Sequence, residues 1–94
     1  MSKITLNGQV QNAPGSATTI MLSNVGTHIE KSYMGSFNDQ IPLESGTHSL
    51  FVHGYVPAPG SLTINISGDV SAVSPGTPKV LQGHFYQAFI FTAT

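Results

Sequence analysis

Cysteine, arginine and tryptophan are absent from this 94-residue chain, and only three lysines (Lys3, Lys31, Lys79) and four carboxylates occur in it. Without cysteine there are no disulfides and no thiolate metal ligands, and the redox compartment stays open. Charged residues make up 7% of the chain, against about 25% in ordinary domains. The scattered lysines cannot build the basic patch that several phosphate contacts require, so nucleic acid is excluded as a partner. No apolar run approaches the ~20 residues of a membrane-spanning helix, so no membrane span is expected. The opening Met1–Gly8 lacks the apolar region of a signal peptide. That leaves two expectations for location: a cytoplasmic protein, or an extracellular or cell-surface module cut from a longer chain.

What replaces charge is Ser, Thr, Asn, Gln and Gly. This is the surface style of extracellular β-modules, lectin-like domains and subunits of particles, and it opposes self-association only weakly. A chain this long forms one domain, residues 1–94, able to bury roughly 60–65% of its unfolded surface.

The dominant sequence period is two. Ile4, Leu6 and Val10 share one side of Lys3–Gln11, and Lys3, Thr5, Asn7 and Gln9 share the other, the pattern of a half-buried strand. Asn12–Ser16 supplies turn residues, and Thr18, Ile20 and Leu22 resume the alternation up to a turn at Asn24-Val25-Gly26. Thr27–Tyr33 reads as an exposed edge protected by Glu30 and Lys31. Pro42 demotes Phe37–Leu43 to an edge or bulged strand. Strands follow at His48–Tyr55 and Ser61–Ser67, separated by Pro57–Gly60, with a short strand near Val70–Val73 and a most apolar final segment, Lys79–Thr94. No stretch has a helical period. The expectation is an all-β fold, an antiparallel β-sandwich of seven to eight short strands, transthyretin-like or Ig-like.

The stretches ITLNGQV, ATTIMLSN, GSFNDQIPLESGTHSLFVHGY and GSLTINISG follow one another as the corresponding features do in carboxypeptidase regulatory-like, transthyretin-like β-sandwich domains. The resemblance spans roughly residues 4–68 and implies a sandwich. It departs from the family pattern before Gly35, where Tyr33-Met34 stands in place of an Asp-x-x-Gly element. The enzyme branch of that fold, the hydroxyisourate hydrolases, uses an arginine and a terminal Tyr-Arg-Gly-Ser. This chain has no arginine and ends Phe-Ile-Phe-Thr-Ala-Thr.

Residue patterns for catalysis are equally sparse. His48 and His53 are five positions apart, so on one strand they point to opposite sides of a sheet. No His-x-His or Asp/Glu-x-His pair occurs, and His28 and His84 could join a site only through pairing that the sequence does not display. Glu30, Asp39, Glu44 and Asp69 form no close pair, and Glu44 and Asp69 read as turn residues with local hydrogen bonds. No Gly-x-Ser-x-Gly elbow is present. Asn65-Ile66-Ser67 is formally a glycosylation sequon, but reads better as a polar outer-face strand segment. The expectation is a non-enzymatic protein with no catalytic residue, no metal and no cofactor.

Two strands depart from half-burial. In His48–Tyr55, Leu50 and Val52 occupy one side, while Phe51, His53 and Tyr55 occupy the other. In the last strand Phe85, Phe89 and Phe91 alternate with Tyr86, Ala88 and Ile90. If the former set builds the core, Phe51, His53, Tyr55, Tyr86 and Ile90 make a second apolar-aromatic surface. Burying one aromatic side chain contributes about 2–3 kcal/mol, so such a surface calls for a cover. The cover is either this chain's own C-terminal segment or Pro57–Gly60, or else a partner: a second copy or a neighbouring domain. A glycan is the alternative partner, stacked on Tyr33, Tyr55 or Tyr86 with His53 and Gln87 bonding its hydroxyls.

Overall fold

The computed structural model describes residues 2–24 and 27–94; part of the expected Asn24-Val25-Gly26 turn lies outside them. Nine strands follow in order: β1 (Ser2–Gln11), β2 (Ala17–Asn24), β3 (Thr27–Met34), β4 (Phe37–Leu43), β5 (Gly46–Val56), β6 (Ser61–Gly68), β7 (Val70–Ser74), β8 (Lys79–Leu81) and β9 (Gly83–Ala93). They form a four-stranded sheet, β4-β1-β6-β8, and a five-stranded sheet, β3-β2-β5-β9-β7. All pairs are antiparallel. The all-β class and the two-sheet arrangement expected from the period-two pattern are present. No helix occurs among the described residues, so none is long and apolar enough to cross a membrane.

Chain order and sheet order are nearly unrelated. Of the connections, only β2 to β3 joins neighbours in one sheet, and every other connection carries the chain to the opposite sheet. The core is therefore assembled from both sheets at each step. Ile4, Leu6, Ile41, Leu62 and Ile64 on one inner face meet Ile20, Leu22, Leu50, Val52, Phe89 and Phe91 on the other, all essentially inaccessible. Alternation along each strand puts these side chains inside, and two facing apolar layers exclude water between them.

Two details differ from the expectation. The strand count is nine because the apolar segment from Lys79 divides. Gly83, at φ +66°, bends the chain so that β8 pairs with β6 in one sheet while β9 pairs with β5 in the other; such a φ strains residues that carry a Cβ. Asp69 is not a local turn residue: its carboxylate accepts from the Lys3 N–H (2.9 Å) and its own N–H donates to the Lys3 carbonyl (3.0 Å). Its carbonyl accepts from the Thr94 N–H (2.9 Å), so Asp69 ties β1 to the end of β9 across the layers. Glu44, by contrast, lies in a turn and makes a local bond as expected: its carbonyl accepts from buried His48, four residues on, at 2.8 Å.

Candidate functional site

The outer face of the five-stranded sheet carries the candidate site. Register places Tyr55 opposite His84, His53 opposite Tyr86, Phe51 opposite Ala88 and Ser49 opposite Ile90. On the other side of β5 the same rungs continue through Ala17, Thr19, Met21 and Ser23 of β2, then Met34, Ser32, Glu30 and His28 of β3. Because side chains alternate, every one of these residues shares one face. All five predicted surface residues, Phe51, His53, Tyr55, Tyr86 and Ile90, are thus brought together.

The aromatic members are ordered by the ladder. The Tyr55 and His84 rings lie tilted at 34° with centroids 4.4 Å apart, and Phe51 and His53 lie 5.9 Å and 6.3 Å from Tyr86. The two tyrosines and two histidines form a chequered square, each Tyr opposite a His. Beside it lies an open depression of about 570 Å³, floored by Thr19, Met21, His53, Tyr55, His84 and Tyr86.

Solvent reaches this face. Tyr86 is 65% exposed, Ile90 54% and Tyr55 42%, while Phe51 and His53 are half-buried by their neighbours. Cover by the chain itself is not found among the described residues. The Pro57–Gly60 turn packs elsewhere, with Gly60 against Ala13 and the Asn12 carbonyl, and the C-terminal segment is itself a strand of the sheet. Pro57 and Gly60 close their own turn through a 2.9 Å backbone bond.

Two residues expected to help a sugar lie elsewhere. Gln87 sits opposite Val52 on the inner side of the sheet, and its amide donates to the Ala88 carbonyl at 2.9 Å. Tyr33 is apart from Tyr55 and Tyr86. Its ring stacks on Phe37 (4.0 Å, 9°) and its hydroxyl donates to Asp39 at 2.7 Å. Burial, and then the hydrogen bond to Asp39, push the Tyr33 hydroxyl well above its ordinary value. That same bond, followed by the one from Lys31 (3.0 Å), holds the Asp39 carboxyl below its ordinary value.

The histidines are dispersed as parity requires. His48 is buried against Phe91 on the inner side, His53 and His84 lie on the outer face, and His28 occupies its far corner. Among the described residues no group of three or more His, Cys, Asp or Glu could hold a metal ion. Met21, Met34 and His84 add to the surface beyond the residues expected. Met21 and His84 were legible by parity, Met21 as an apolar residue on the polar side of β2 and His84 two positions before Tyr86 on β9; Met34 joins only through cross-strand register.

These features define a small all-β domain of two antiparallel sheets, one of which has an apolar-aromatic outer face. No family model, curated protein or solved structure matches the chain.

Proposed function

We propose that this protein is a non-enzymatic structural or interaction module that self-associates through the outer face of its five-stranded sheet. The observation that carries the reading is the exposure of Tyr86, Ile90 and Tyr55 on one contiguous face together with Met34, itself 76% exposed. Contiguous apolar surface on a small domain marks an interaction site, because water is displaced from it most favourably by another apolar surface. The low charge supports the same reading, since copies of a chain with a formal net charge of −1 repel one another little. The test is molar mass by light scattering across concentration, for the native protein and for a Tyr86→Ser/Ile90→Ser variant. Association that the double substitution weakens supports the reading; a single-chain mass at every concentration overturns it.

A second reading, glycan binding, is favoured by one specific feature, the depression flanked by Tyr55, His84, His53 and Tyr86. Aromatic faces stack on the apolar side of a sugar while ring nitrogens and phenol hydroxyls bond its hydroxyls. A glycan array without hits, or with hits that Tyr55→Ala and Tyr86→Ala leave unchanged, counts against it.

A further inference from the structure

The edges of the two sheets differ in how they are protected. β3 carries Glu30 and Lys31, β4 carries Asp39 and Pro42, and β8 is three residues long and includes Lys79. Charges, proline and brevity all discourage another strand from adding to an edge. β9 has none of these: its 11 residues include no Asp, Glu, Lys, Arg or Pro. β7 covers only its C-terminal part, pairing with Ile90, Thr92 and Ala93. Among the described residues no strand pairs with the far side of His84–Ala88.

Parity identifies the main-chain groups left over. The Thr94 N–H bonds to the Asp69 carbonyl, away from β5. The β5 register runs unbroken from Gly83 to Ala93, so the even-numbered residues of β9 direct N–H and C=O to that same side. The Ala88 carbonyl agrees, for it accepts from the Gln87 side chain. His84, Tyr86 and Ala88 therefore present an unpaired row of donors and acceptors, and the Gln87 amide occupies one of them.

We infer that β9 pairs antiparallel with β9 of a second copy about a two-fold axis at Tyr86, an inference that rests on the self-association reading but places this contact at the sheet edge, in addition to the outer face. In this register His84 faces Ala88 of the second copy and Tyr86 faces Tyr86, which closes about six backbone hydrogen bonds. The Gln87 amide yields the Ala88 carbonyl to the incoming N–H. The window fits itself: Gly83 turns the chain away at one end, and β7 ends beside Ile90 at the other. The two-fold places Gly83 of each copy opposite Phe89 of the other, so neither strand runs into β7. An isologous pair of this kind closes on itself and leaves no repeating edge. It also joins the two outer faces into one surface, with the two Tyr86 rings side by side at its centre.

The test is amide hydrogen exchange by NMR on the native protein at low and high concentration, with molar mass measured alongside. Dimer mass at high concentration, with the amides of His84, Tyr86 and Ala88 slowed about tenfold or more, is expected. Ala88→Pro removes an N–H that β5 does not use, and is expected to weaken the dimer about 20-fold through two lost hydrogen bonds. Tyr86→Lys, which sets two ammonium groups side by side at the axis, is expected to yield monomer with an unchanged fold. A dimer whose His84, Tyr86 and Ala88 amides exchange equally at both concentrations, or one that survives both substitutions, overturns edge pairing and leaves face association standing. Single-chain mass at every concentration removes both.

Discussion

The Tyr33 hydroxyl donates to the Asp39 carboxylate at 2.7 Å and so joins β3, an edge of one sheet, to β4, an edge of the other. Lys31 reaches the same oxygen at 3.0 Å. Tyr33→Phe keeps the stack on Phe37 and removes the bond, and is expected to cost about 1 kcal/mol in urea unfolding at neutral pH. Asp39, held low in the folded state chiefly by this bond, is then expected to titrate nearer the ordinary carboxylate range, as read from its carboxyl carbon shift.

The pH dependence of the clasp follows from the same two groups. Asp39 is depressed on folding, so its stabilisation is present above the unfolded value of about 3.9 and is lost as pH falls through the lower folded value. Tyr33 is raised on folding, so its stabilisation is complete below about 10 and fades as pH climbs toward its raised folded value. Stability of the native protein minus that of Tyr33→Phe, measured by urea titration, is expected to be flat near neutrality and to shrink at both extremes. A difference constant from pH 2 to 11 would refute the assignment.

Gly8 leaves room for Phe37. A Cβ at Gly8 would overlap the Phe37 ring. Gly8→Ala is expected to destabilise by about 1–3 kcal/mol through overpacking. Adding Phe37→Leu to that variant is expected to recover part of the loss, a coupling that a double-mutant cycle measures.

One strand contains both kinds of apolar residue. Phe89, 1% exposed, lies in the core, while Tyr86, 65% exposed, faces out. Phe89→Ala is expected to cost about 3–5 kcal/mol, and Tyr86→Ser to change monomer stability by no more than about 0.5 kcal/mol. Chemical denaturation below the concentration of association separates the two. A large loss in Tyr86→Ser would mean that the chain itself uses that ring.

His48 bonds a carbonyl, which can only accept, so Nε2 carries a hydrogen. Its Nδ1 is buried without a partner. The neutral ring is therefore expected to be the Nε2–H tautomer. Long-range nitrogen–proton NMR spectra read this directly, and an Nδ1–H signature would contradict it.

Local alternation carried much of the fold. The side-chain period along β1, β2, β5 and β6 placed Ile4, Ile20, Leu50 and Leu62 inward, and parity alone put His48 and His53 on opposite sides. It also collected Phe51, His53 and Tyr55 on the face that Tyr86 and Ile90 share. Asp69 and Tyr33 were read less well, because what they bind comes from other strands: Lys3 and Thr94 for one, Phe37 and Asp39 for the other.

The sequence by itself determined which side of each strand is apolar, since the pleat is a property of a single chain and repeats every two residues. Which strands lie side by side was decided by tertiary structure. All but one of the connections cross between sheets, so the hydrogen bonds that order the sheets join residues far apart in the chain. The break at Gly83 and the bare edge of β9 belong to that second level. An edge is free or covered only once all its neighbours are in place.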